Sequence, residues 1–245
     1  IVASTPLVLA ALGELIVEKA GVLNLGVEGM MIIGAVAGFI VGVETGSAYI
    51  GMIAAAVAGA LLSLLFAFII LIMQANQVAS GLALTIFGLG IAALMGHPYT
   101  GIKSPQISTI SIPILSEIPI LGTMFFQHDL IVYLSLISVL TIWYFLTRMR
   151  AGLILRSVGE DHDVAHSLGY RVITIRFLAI VFGGAMAGVG GGYLSLFRVP
   201  QWTEGMTAGA GWIALALVVF SGWRPFRLLI GCLLYTSPSP RDSYG

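Results

Sequence analysis

Charge is scarce in this chain. Of 245 residues, 11 are Lys or Arg and 11 are Asp or Glu, 9% together, where a soluble domain carries roughly 25%. So few charges cannot cover a water-facing surface. The formal net charge of zero gives no sign of nucleic-acid binding, and no nucleic-acid partner is expected. A single cysteine, Cys232, excludes an intrachain disulfide framework. No Cys/His cluster has metal-ligand spacing; His162 and His166 are four apart but have no third ligand, so neither a metal nor another cofactor is expected. The chain opens on Ile1 with neither Met nor a basic leader, so no cleavable signal is read and an upstream segment is expected.

What the sequence has instead is apolar length. Hydrophobic residues make up 58% of it, and mean hydropathy is +1.04. A bilayer core of ~30 Å needs about 20 apolar residues as a helix. Apolar runs cover residues 3–17, 30–43, 48–73, 78–95, 130–147, 175–197, 207–221 and 226–234. The pattern predicts an all-α polytopic membrane protein with about seven to eight transmembrane helices. The first, second and seventh runs read as short, tilted or broken helices, which survive in lipid only against protein or a wet cavity.

Sidedness follows from Lys and Arg. Alternate threading puts Lys19, Arg148, Arg150, Arg156, Arg171, Arg176, Arg224 and Arg227 on one side, and only Lys103 and Arg198 on the other. The first side is therefore read as cytoplasmic. The loop 96–127 falls outside, with a short surface helix predicted at 115–126. Gly34, Gly38 and Gly42, like Gly184, Gly188 and Gly192, repeat every four residues. Such stripes let helix backbones approach closely and mark bundle contacts.

Two glycine-rich polar elements interrupt the apolar sequence. Residues 20–29 carry Asn24 and Glu28 among three glycines, and residues 204–211 carry Glu204 and three more. An unwound segment at membrane depth offers amides and carbonyls to a polar solute. A tight interfacial loop, with Asn24 and Glu28 capping the next helix, explains the first element equally well. Long span, polar element, short span recurs on opposite sides, the order of an inverted-topology repeat. Glu14 lies inside the first run and must face the bundle interior; a basic or hydroxyl partner is expected for it. Asn76, Gln77 and Ser80 are polar residues at a span edge. With Glu14, Asn24 and Glu28 they form the candidate substrate path, although packing and capping account for each of them nearly as well.

The basic loop 148–174 carries one more candidate. Gly159 ends an element, Glu160, Asp161 and Asp163 sit at a helix start where the dipole favours acids, and Gly169 suits its C-terminal cap. Val164, Ala165 and Leu168 give one apolar face. The acidic start disfavours an anionic leaflet, so a groove on a soluble partner suits this helix better.

These residues resemble a family. Pro6-Leu7-Val8-Leu9-Ala10-Ala11-Leu12-Gly13-Glu14, then Glu18-Lys19-Ala20-Gly21-Val22-Leu23-Asn24-Leu25-Gly26-Val27-Glu28-Gly29, are similar to the opening of ABC importer permeases of the simple-sugar and nucleoside group. The likeness returns at Asn76–Ser80 and on to Leu84, at Arg156–Glu160 through Gly169, and from Gly205 to Ala216, covering the chain from about Pro6 to Gly231. It is nearest to nucleoside permeases; branched-chain amino-acid permeases match less well.

The resemblance implies a multi-pass subunit of a bacterial or archaeal plasma membrane. It implies a second permease subunit, identical or related, a cytoplasmic ATPase subunit and an extracytoplasmic substrate-binding (lipo)protein. It also places a coupling helix at 160–169. The phosphate-binding G-x-x-x-x-G-K-[ST] pattern is absent, so ATP hydrolysis is expected of a separate subunit. An ion-coupled secondary transporter is the alternative, for which Glu14 is the one strong acidic candidate. Residues 1–234 read as one permease domain truncated at both ends. Residues 235–245, polar and Pro-rich, read as a non-native tail similar to translated adapter sequence.

Overall fold

The computed structural model describes residues 1–105, 110–111 and 127–237. Ten helices cover most of them: α1 (Thr5–Lys19), α2 (Val27–Thr45), α3 (Ala48–Ala67), α4 (Gln77–Gly96), α5 (Leu130–Arg148), α6 (Arg150–Glu160), α7 (His162–Ser167), α8 (Val172–Tyr193), α9 (Ala210–Phe220) and α10 (Pro225–Thr236). π-helical turns extend α3 to Ile72 and α8 to Arg198. One two-residue ladder pairs Ile110 with His128 and Ser111 with Gln127. The surface helix predicted at 115–126 lies outside the described residues, as does the tail beyond Ser237.

Five helices are long and apolar enough to cross a membrane: Val27–Thr45, Ala48–Ile72, Gln77–Tyr99, Leu130–Arg148 and Val172–Arg198. The all-α polytopic reading therefore holds. At 1.5 Å per residue, α1 is ~22 Å long and α9 ~16 Å, short of the ~30 Å hydrocarbon core, as the first and seventh runs imply. The second run corrects its prediction: α2 begins at Val27, three residues early, and with 19 residues is a full span. The final helix continues to Thr236, two residues into the segment read as tail.

The helix α1 is the axis of the bundle. Every residue from Thr5 to Val17 is buried, so its apolar character all round fits a helix enclosed by α5, α8, α9 and α10. In lipid, apolar surface gains little by leaving the solvent, so close packing must hold helices together. The glycine stripes supply it. A Cβ on Gly34 would strike the Gly188 backbone, and one on Gly184 would strike Ser63 and Gly59. On Gly38 it would lie 2.9 Å from Ala55 Cβ, and on Gly192 2.6 Å from the same atom. The helices α2, α3 and α8 thus meet backbone to backbone. Against this core, α4 packs mainly along α2, where a Cβ on Gly29 would lie 2.8 Å from Thr85 Cα. Its outer face leaves Ile86 and Leu94 exposed.

The bundle has two chemically distinct ends. At one, Trp223 donates to Glu18, Arg176 Nε donates to the Ala20 carbonyl (3.1 Å), and Lys19 lies 5.5 Å over the Trp223 ring. At the other, Tyr193 donates to Asp129 (2.7 Å), Tyr99 donates to Glu44 (2.8 Å), and the backbones at Lys103 and Gln201 pair in an antiparallel β-bridge. The basic residues of the threading argument gather at the first end.

Candidate functional site

A chain of buried polar contacts runs through the middle of the bundle, built by the two glycine-rich elements. After α1 the chain turns at Gly21 (φ +79) and folds back into the bundle. That return brings Asn24 against Glu14, one turn before the end of α1. Asn24 donates to the Glu14 carboxylate from its backbone N–H (3.3 Å) and from Nδ2 (3.2 Å). Its own Oδ1 accepts from Gly26 N–H (3.1 Å). Both residues are buried, at 1% and 0% exposure. The partner of Glu14 is thus an amide, not the basic or hydroxyl group expected from sequence.

Glu28 does not cap its own helix. It lies in the first turn of α2 and reaches across to the second element, accepting from Thr207 Oγ1 (2.6 Å), Gly209 N–H (2.9 Å) and Gly211 N–H (2.7 Å). Those two N–H groups belong to the start of α9, where a helix has no intrahelical acceptors and its dipole favours a carboxylate. The α9 start is reached through Gly205 (φ +67), Ala208 (φ +46) and Gly209 (φ +84). A left-handed alanine is uncommon, and here it falls between Thr207 and Gly209, both held by Glu28. Glu28 is 3% exposed and Thr207 3%.

Leu25 joins the elements a second time. Its carbonyl accepts from Thr85 Oγ1 in α4 (3.1 Å) and from Trp212 Nε1 in α9 (3.2 Å). Trp212 is nonetheless 44% exposed, an indole anchored by its N–H with its ring open. The sequence reading missed Thr207, Thr85 and Trp212. The first and last fall in or beside the second glycine-rich element, which was the available signal. Thr85 had none, since a hydroxyl within a helix ordinarily bonds its own backbone.

The remaining path candidates lie apart from this buried group. Asn76 is exposed and caps α4, accepting from Ala79 N–H (3.0 Å). Gln77 Oε1 accepts from Leu23 N–H (2.8 Å), tying α4 to the first element. Ser80 lines an apolar cavity of about 420 Å³ between α3 and α4, with Leu65, Ile69 and Phe87.

The acidic segment of the basic loop divides differently from its prediction. Gly159 is the penultimate residue of α6 and packs against Gly21, where a Cβ would fall 3.0 Å from the Gly21 nitrogen. Glu160 ends α6. Asp161 caps α7, its Oδ1 accepting from Asp163 and Val164 N–H (both 3.0 Å). Gly169 (φ +87) closes the helix by donating to His166 O (2.8 Å). Ala165 is buried, but Val164 and Leu168 are 55% and 69% exposed. The apolar face of α7 therefore points largely away from its own bundle.

The comparisons agree with this architecture. Residues 1–237 match the family described as branched-chain amino acid transport system / permease component. A putative glucose ABC transporter permease of Haloferax volcanii is 43% identical over 95% of this chain and 72% of its own length. A guanosine ABC transporter permease of Bacillus subtilis is 34% identical (96% and 77%), and a nucleoside ABC transporter permease of Lactococcus lactis 32% identical (95% and 77%). No solved structure matches the chain. With buried polar breaks between short helices, five spans and these relatives, the chain belongs to the permease-component family of ABC transport systems.

Proposed function

We propose that this permease subunit carries nucleosides or simple sugars across the plasma membrane, driven by a separate ATPase subunit. The observation that carries the reading is the junction at Glu28. Two helix breaks, remote in sequence, meet inside the bundle through a carboxylate and three donors. A path for a polar solute needs such unwound backbone at membrane depth. The relatives named for glucose, guanosine and nucleosides support the substrate class. The open Trp212 ring beside Leu25 suits stacking on a nucleobase or a sugar face. The two elements are proposed as halves of an inverted repeat.

The basic end is the cytoplasmic side in this reading, and α7 docks on the ATPase through Val164 and Leu168, with Glu160, Asp161 and Asp163 beside them. A second permease subunit and an extracytoplasmic receptor complete the importer. The test is uptake of labelled guanosine and glucose into proteoliposomes holding the chain, its ATPase and its receptor. ATP-dependent uptake of one or both is expected. Uptake driven by an ion gradient without ATP overturns the reading in favour of a secondary transporter.

A further inference from the structure

The basic end of the bundle contains a cavity of about 670 Å³ between the end of α1, the end of α5, α6 and the α9–α10 turn. Four cations line it, Lys19, Arg156, Arg224 and Arg227, together with the indoles of Trp143 and Trp223. Cations on a protein surface ordinarily find carboxylates, but these do not. Among the described residues the one carboxylate contact with a basic side chain is His162–Asp163, and no described carboxylate oxygen lies within 4.0 Å of any of the four. Glu18 accepts from Trp223 Nε1 with one oxygen and offsets Lys19 in part, while its other oxygen is buried without a hydrogen-bond partner. Among the described residues, then, none of the three arginines has a carboxylate oxygen within 4.0 Å. Arg156 adds a second observation: its Nε is buried and has no hydrogen-bond partner. A buried guanidinium N–H without an acceptor costs free energy that a bound oxyanion removes.

The depth of the cavity selects the oxyanion. Lys19 is the last residue of α1, Thr147 is the penultimate residue of α5, and Pro225 opens α10. The site therefore lies at the level where spans end and lipid phosphates begin. Trp143 packs against Phe226 at 5.6 Å between ring centroids, an aromatic pair at the depth where indoles favour the headgroup region. Basic pockets between transmembrane helices at this level bind anionic headgroups.

We infer that this cavity binds the phosphate of an anionic phospholipid, with Arg156, Arg224 and Arg227 as its ligands and the Trp143 and Trp223 rings against the glycerol and upper acyl chain. The lipid phosphate offsets one of the positive charges, accepts from the arginines and fixes the α9–α10 turn against α1.

The test uses the full chain in phosphatidylcholine vesicles doped with acyl-brominated phosphatidylglycerol, or with brominated phosphatidylcholine as control. Trp202 is buried and Trp212 does not line the cavity, so excess quenching by the brominated phosphatidylglycerol reports the site. Unlabelled phosphatidylglycerol should relieve that excess, and inorganic phosphate should not. A variant combining Arg156→Gln, Arg224→Gln and Arg227→Gln should weaken the apparent affinity on the order of 100-fold, at about fivefold per charge. Equal quenching by the two brominated lipids overturns the proposal, as does full relief by inorganic phosphate, which assigns a free-anion site. Relief by the cognate ATPase subunits overturns it too, assigning the cavity to a protein contact. The lipid-competition arms need only the wild-type chain, so a variant that fails to fold leaves the test intact.

Discussion

Glu28 in α2 accepts the Thr207 hydroxyl at 2.6 Å across 179 residues of sequence. The same carboxylate holds Gly209 and Gly211, so the start of α9 depends on a side chain from another helix. Hydrogen bonds to a charged group are worth about 1.5–3 kcal/mol each. Thr207→Val keeps the shape and removes one bond, and should cost about that much. Glu28→Ala strands both N–H groups and should cost more. Thermal unfolding of the purified chain in detergent checks the order, with Glu28→Ala below Thr207→Val below wild type. Equal melting temperatures for all three would remove Glu28 from the junction.

The glycine crossings predict a sharper contrast. A Cβ on Gly191 would collide with the Met31 carbonyl, and one on Gly34 with the Gly188 backbone. Neither obstacle is a flexible side chain, so the helices must separate. Gly191→Ala and Gly34→Leu should therefore abolish recovery of monodisperse protein. Gly90 in α4 has no atom within 4 Å of its added Cβ. Gly90→Ala should leave the melting temperature unchanged or raise it, by a free energy of no more than about 1 kcal/mol.

Much of this was legible in the sequence, and what escaped has physical causes. Apolar run length gave the spans, because lipid imposes one length on every crossing helix. Four-residue glycine spacing gave the contact faces of α2 and α8, because that spacing puts every glycine on one side of a helix. The partners of those faces were not readable, since α3 answers with Gly51, Ala55 and Gly59, an ordinary small-residue composition. Asn24 and Glu28 stood out as polar residues in apolar surroundings. Local rules left them open between capping their own helix and lining an unwound segment, whereas tertiary packing gave Glu28 to α9 and Asn24 to Glu14. A carboxylate's long-range partner leaves no local pattern.

The Glu14–Asn24 contact separates two modes of energy coupling. If Glu14 carried a coupling ion, Glu14→Gln would abolish uptake. In the structure the carboxylate receives two donors from Asn24, one on each oxygen, so a glutamine oxygen keeps one of these bonds while its amide nitrogen loses the other. ATP-driven uptake by Glu14→Gln should stay within about tenfold of wild type, a change of ~1.4 kcal/mol in the barrier. Asn24→Leu removes the Nδ2 donor, leaves Glu14 buried with one weak partner, and should lower the melting temperature more than Glu14→Gln does. Uptake assays and thermal unfolding on the two variants decide the matter.

For α7, the structure divides what charge alone would treat as one acidic cluster. Glu160 ends α6 with an exposed side chain, whereas Asp161 is the cap of α7. Asp161→Asn keeps a good capping group and removes only the charge; Asp161→Ala removes the cap, worth ~1 kcal/mol. If the helix docks by its apolar face, Asp161→Asn should associate with the ATPase nearly as wild type, Asp161→Ala more weakly, and Leu168→Asp most weakly. Leu168 is 69% exposed, so its replacement leaves the permease itself intact. Loss of a buried anchor at an interface costs on the order of 2 kcal/mol, about 30-fold in Kd. Co-purification and surface binding with the cognate ATPase measure the series. A reversed order, with Glu160→Lys and Asp161→Asn weakest and Leu168→Asp unaffected, would mean that charge and not the apolar face makes the contact.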